Sequence, residues 1–197
     1  LVLAFALWYV VFGLRDVGNF WVKIALAAAA LALISLVIMG SDERRQLFSV
    51  RRRHIWVGVV TAAILYGVFA LGKWVLTALL PFSSAEIAEV YALREELSPW
   101  LIASLLLFIT GPAEEIYWRG FLQRVLVRKI GPMSGLFLAA ALYGLAHIWA
   151  VNLSLMLAAF VAGVVWGWIF LIERSLVPVI VSHALWSVTI FVLWPLG

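Results

Sequence analysis

Seven apolar runs occupy most of this 197-residue chain, at about residues 1–14, 19–40, 55–80, 99–118, 132–150, 153–172 and 176–196, with polar or Gly/Pro punctuation between them. Roughly 20 apolar residues are needed to cross the hydrocarbon core of a bilayer as a helix. Backbone in lipid has to satisfy its own hydrogen bonds, and a helix does so within one segment. The pattern therefore predicts an all-α fold, a polytopic transmembrane helix bundle of about seven membrane helices with the first shortened. With 66% hydrophobic and only 12% charged residues the chain does not read as a soluble domain, which would carry about 25% charged residues. Its length suits one bundle, a single membrane domain over residues 1–197.

The charges are distributed unevenly. The loop from Ser41 to His54 carries five arginines, and Arg124, Arg128, Lys129 and Arg174 follow later runs. Seven crossings put all of these on one face and Glu86, Glu89, Glu95 and Glu96 on the other. An excess of Lys and Arg marks the cytoplasmic side, so the basic loops are expected in the cytoplasm and the C-terminus outside. On this reading the arginines orient an integral membrane protein, in a prokaryotic plasma membrane, and touch anionic lipid; no nucleic-acid partner is expected. The acidic segment Phe82 to Leu97 has helical spacing of apolar residues and is expected along the outer surface, with a lid or substrate-contact role as the lesser alternative. The absence of cysteine excludes disulfides, zinc–thiolate sites and a cysteine nucleophile. The chain opens on Leu1 with no methionine and no charged region before its first apolar run, which reads as a start that is missing some residues.

Within this apolar sequence, Gly111-Pro112-Ala113-Glu114-Glu115-Ile116-Tyr117-Trp118-Arg119 places two carboxylates and a guanidinium in one run. An ionised side chain at the bilayer centre costs about 2.5–3.5 kcal/mol on insertion scales, so such residues mark a pathway or a reaction centre. Four-residue spacing sets Arg119 on the face of Glu115, whereas Glu114 is turned by about 100° toward the bundle, beside Tyr117 and Trp118. Glu115 is thus expected to be neutralised, leaving Glu114 as a general base or acid. Gly111 and Pro112 would loosen the helix just before the pair. His147 and His183 also lie in apolar runs, each with a polar companion four residues away, Tyr143 and Ser187 respectively. Counted from the basic end, Glu114 and His147 both lie at about 22 Å and His183 at about 12 Å, which points to a site in the half of the membrane nearer the basic loops. Gly144, Gly163 and Gly167 read as close-packing positions. The generic chemistries left open are water activation for hydrolysis, a metal site and a proton-coupled path.

Three strings, Glu114-Glu115-Ile116-Tyr117-Trp118-Arg119, Tyr143-Gly144-Leu145-Ala146-His147 and the stretch Leu176 to His183, resemble in order and spacing the EExxxR, FxxxH and HxxxN motifs of the CPBP (Abi) family. That family comprises type II CAAX prenyl endopeptidases and their bacterial and archaeal relatives. The resemblance covers roughly residues 98–196 as a catalytic core and leaves 1–97 as accessory helices plus the outer segment. It implies an intramembrane endopeptidase acting on a membrane-anchored or lipidated protein or peptide. Carried over, Glu114 activates water, His147 holds or deprotonates it and His183 stabilises the oxyanion, with Glu115, Arg119, Tyr143 and Ser187 in support. Tyr143 replaces the family's usual phenylalanine, and Ser187 its terminal asparagine.

The implied mechanism needs no cofactor. A zinc-dependent version, with Glu114, His147 and His183 as ligands, is the first alternative, although no HExxH pair is present. A non-catalytic membrane scaffold or immunity protein is the second, with the cluster serving as structural glue; a proton-coupled carrier ranks below both.

Overall fold

A computed structural model describes residues 1–197 and consists of helices and turns, with no strand. In chain order the helices are α1 (Val2–Gly13), α2 (Phe20–Ile38), α3 (Ser41–Leu47), α4 (Arg52–Leu79), α5 (Ser83–Ala92, extended by a 3-10 turn over Leu93–Glu96), α6 (Pro99–Ile130), α7 (Pro132–Ala150), α8 (Leu153–Glu173) and α9 (Val177–Leu193). Five of them, α2, α4, α6, α7 and α8, are long and apolar enough to cross a membrane, while α1 and α9 are shorter. Each expected apolar run thus forms a helix, but the seventh falls short as well as the first. The start of α9 is set by Pro178 in its first turn. Just ahead of it the chain is tied to the α3–α4 link: Leu176 N donates to Leu47 O at 2.8 Å and Ser175 Oγ to Ser49 O at 2.9 Å.

The outer surface of the bundle is apolar. Leu26, Leu33, Val60, Ile64, Leu71, Phe108 and Ile172 all point outward, where a bilayer would cover them, and this fits an integral membrane protein. Inside, small residues let helices touch. A Cβ added at Gly163 of α8 would lie 3.1 Å from Ala140 Cα of α7, and one at Gly58 of α4 would lie 2.8 Å from Pro178 O of α9. Glycine at these two crossings brings the backbones into contact.

The two ends of the bundle are held by different charges. At the basic end, Glu43 of α3 accepts from Arg124 at 2.6 Å and from Arg128 at 2.8 Å, and Arg53 pairs with Glu173. Hydrogen bonds from Arg128 and then Arg124 hold the Glu43 carboxyl below its ordinary range. The acidic end is a strap. Asn19 Nδ2 donates to Glu96 O at 2.9 Å, and the Glu96 carboxylate accepts from Phe20 N at 2.7 Å. Arg15 pairs with Glu89 and donates to Ala150 O. The Glu86 carboxylate caps α8, accepting from Leu153 N at 3.0 Å, Ser154 N at 2.9 Å and Ser154 Oγ at 2.6 Å, while Asn152 Nδ2 donates to Glu86 O at 2.8 Å. So α5 and its 3-10 turn lie across the N-termini of α2 and α8.

Desolvation pushes the Glu86 carboxyl up, but the bonds from the Ser154 hydroxyl and from the Ser154 and Leu153 amides outweigh it and leave the group below its ordinary value. A carboxyl depressed by folding contributes stability above its unfolded pKa and loses it as the pH falls through the folded one. Glu86→Ala should cost about 1 kcal/mol, the usual worth of a helix cap. Protection factors at Leu153–Leu155, referenced to the intrinsic exchange rate at each pH, are expected to fall in this variant at neutral pH and to lack the further fall on acidification expected of wild type.

Candidate active site

Helix α6 changes its hydrogen-bonding register twice around the glutamates. It is π-helical over Leu106–Thr110, α-helical over Gly111–Glu115 and π-helical again over Ile116–Gln123. Pro112 has no N–H to give the preceding turn, and the wide turn upstream accommodates that loss without breaking the helix. The anticipated loosening at Gly111-Pro112 is therefore a change of register. Gly111 also brings α6 against α9, since a Cβ there would lie 3.2 Å from Ala184 Cα.

The two glutamates have different partners. Glu115 Oε1 accepts from Arg119 Nη1 at 2.9 Å and lies 2.7 Å from His183 Nδ1. The i,i+4 pair read from the sequence is present, and a histidine from α9 joins it. Glu115 and Arg119 are almost wholly buried, and the guanidinium carbon stands 4.6 Å over the Tyr143 ring and 5.2 Å over that of Trp166. Glu114 has one protein partner in this network, the Tyr143 hydroxyl, which donates to its Oε2 at 2.7 Å. Tyr117 and Trp118, expected beside Glu114, neither bond it nor line its cavity; the side chain that bonds the carboxylate comes from α7.

The histidines are held by their Nδ1 atoms. His147 Nδ1 lies 2.9 Å from the Tyr143 carbonyl; a carbonyl only accepts, so this nitrogen carries the proton and Nε2 of the neutral ring is an acceptor. The ring packs against Phe12 with centroids 5.2 Å apart and against Trp8 at 6.3 Å. His183 is stacked on Trp166, with centroids 4.1 Å apart and planes 13° from parallel, and Trp166 Nε1 donates to Ser182 Oγ at 3.0 Å. Trp166 and Ser182 were not read from the sequence as site residues. The one available signal was the position of Trp166 between Gly163 and Gly167, where close helix packing drives a large ring inward.

Glu114, Tyr143, His147, His183 and Ser187 together line a cavity of about 120 Å³, ample for more than one water, each of which needs about 10–15 Å³. The structure thus brings five of the seven residues singled out in the sequence to one space, with Glu115 and Arg119 packed behind. The cavity lies on the acidic-end side of the glutamates, because the residues that line it fall between the site and that end on α6, α8 and α9 alike. Although Glu114, His147 and His183 line the same cavity, no group of three or more His, Asp or Glu side chains is arranged closely enough to hold a metal ion.

Residues 96–189 match the model of a family described as Rce1-like, type II CAAX prenyl endopeptidases. Over that span the chain is similar to that family, as its three motifs anticipated, and the match supports an intramembrane CAAX-type endopeptidase. No curated protein and no solved structure matches the chain.

Because Glu115 is buried with Arg119 as its cation, Arg119→Met should destabilise the fold by about 3–5 kcal/mol. The paired variant Glu115→Gln/Arg119→Met is expected to regain much of that loss, as read by thermal unfolding in detergent.

Proposed function

We propose that the chain hydrolyses a peptide bond of a membrane-anchored or lipidated protein with water activated by Glu114, in a prokaryotic plasma membrane with the arginine-rich loops in the cytoplasm. The observation that carries this reading is the asymmetry of the two carboxylates. Glu115 is taken up by Arg119 and His183, whereas Glu114 holds only the Tyr143 hydroxyl and faces the cavity.

Glu114 Oε2 is occupied by Tyr143, which leaves Oε1 for a water. As the water oxygen attacks the peptide carbonyl carbon, its proton passes to Glu114 and the carbonyl oxygen takes the negative charge. The same proton then goes to the amide nitrogen as the C–N bond breaks, releasing a new carboxyl and a new amine. His147 Nε2, the acceptor of the neutral ring, would orient the water. His183 is fixed by Nδ1 on Glu115 and by one face on Trp166; in its doubly protonated form its Nε2–H would donate to the oxyanion. Ser187 contributes a hydroxyl to the same wall, where the family motif has asparagine. One hydroxyl offers a single donor to the family's amide pair, so His183 carries the larger share of that stabilisation.

Membranes carrying wild type or Glu114→Gln, compared by terminal labelling and mass spectrometry, test the reading. Glutamine keeps the shape and removes the base, and a general base contributes about 10²–10⁴-fold. New termini should appear with wild type and fall by at least a hundredfold with Glu114→Gln at equal protein abundance. Identical termini from the two would support the scaffold reading instead.

A further inference from the structure

Three cavities adjoin one another at the acidic end. The site cavity shares Phe12, Phe20, Val90, Leu93 and Leu155 with a polar recess of about 110 Å³ that also holds Arg15, Lys23, Glu89 and Glu96. It shares Val90, Leu155, Ala158, Trp186 and Phe191 with an apolar chamber of about 360 Å³ between α4, α5, α8 and α9. On α6 the wall runs from Glu114 through Thr110 to Leu106, on α8 from Trp166 through Ala162 to Leu155, and on α9 from His183 through Ser187 to Phe191. Each series leads toward the strap formed by α5 and its 3-10 turn.

Toward the basic end the site is closed. Trp118, Arg119, Gln123, Trp166, Leu176 and Val179 are each at most 1% exposed, and Gln123 Nε2 donates to Gly167 O at 2.9 Å, tying α6 to α8 beneath the glutamates. The basic end also carries nine of the chain's 14 Lys and Arg residues, counting Arg44, Arg45, Arg51–Arg53, Arg124, Arg128, Lys129 and Arg174. Only Arg15, Lys23, Lys73 and Arg94 belong to the acidic end, with Arg119 in the core. That imbalance orients the basic end to the cytoplasm.

Resting on the hydrolytic reading above, we propose that the active site opens to the non-cytoplasmic face, so that the substrate is a membrane-anchored polypeptide whose scissile bond lies at the outer surface. The polypeptide passes the polar recess under the α5 strap, while the apolar part of its anchor lies along the chamber between α4 and α8. A lipidated tail presented from the cytoplasm meets the closed floor instead.

The chain has no cysteine, so single cysteines report accessibility without background. Lys129→Cys marks the basic end, Glu95→Cys the acidic end, and Thr110→Cys the cavity wall, where the Thr110 hydroxyl has no hydrogen-bond partner; Ala158→Cys is a second wall reporter should the first fail to fold. A charged, membrane-impermeant thiol reagent is added to intact cells and to inverted vesicles. Glu95→Cys and the wall cysteine are expected to react in intact cells, at least tenfold faster than in inverted vesicles, and Lys129→Cys to show the reverse. A wall cysteine that reacts from the Lys129 side, or from neither, overturns the proposal, as does Lys129→Cys reacting on intact cells. Labelling needs no turnover, so its failure leaves the hydrolytic reading standing, and a negative Glu114→Gln comparison leaves the direction of access standing. Where that comparison does yield termini, they should map to the non-cytoplasmic side of their anchors; cytoplasmic positions would overturn the proposal.

Discussion

The pairing of Glu115 Oε1 with Arg119 and His183 fixes the rest of the site. A buried carboxylate without a partner is strongly destabilising, and here α6 supplies Arg119 one turn below while α9 supplies His183. That arrangement locks α9 against α6 at the level where Gly111 meets Ala184. It also settles which carboxylate is available: with Arg119 and His183 both on Glu115, the neighbouring residue, rotated by about 100° on the helix, is left facing the cavity.

Aromatic packing converts that pairing into a shaped cavity. Trp166 supports His183 on one side and the Arg119 guanidinium on another, and Tyr143 joins the two carboxylates' surroundings by placing its ring beneath Arg119 and its hydroxyl on Glu114. Phe12 and Trp8 bring α1 against His147. The N-terminal helices, expected as additions to a core, thus supply part of the wall, with Phe20, Trp21 and Ile24 of α2 beside them. Small residues accompany this packing, since Gly163, one turn before Trp166, lets the α8 backbone approach Ala140 of α7.

The strap at the acidic end links fold to access. Two of its carboxylates meet helix ends, Glu86 capping α8 and Glu96 the first amide of α2, and a third, Glu89, pairs with Arg15. A carboxylate at a helix N-terminus satisfies donors that have no partner within the helix. This holds a short amphipathic segment above the cavity without burying it in the bundle, so the segment forms the rim of the recess that leads to Glu114.

The sequence alone determined the all-helical membrane fold, because run length and the need to satisfy backbone hydrogen bonds in lipid admit few alternatives. It determined the Glu115–Arg119 pair as well, since four-residue spacing on one helix is local geometry. It also named Glu114, His147, His183, Tyr143 and Ser187, because polar groups in apolar runs stand out and their motifs are ordered along the chain. Only the tertiary structure decided what each of them touches. That His183 completes the Glu115 pair, that Tyr143 rather than Tyr117 or Trp118 reaches Glu114, and that Trp166 backs the histidine all depend on how α6, α7, α8 and α9 are rotated against one another. The direction in which the cavity opens was likewise beyond the sequence. Depth along single helices measures height in the membrane, whereas an opening is set by where neighbouring helices fail to fill space, and that is a property of the packed bundle.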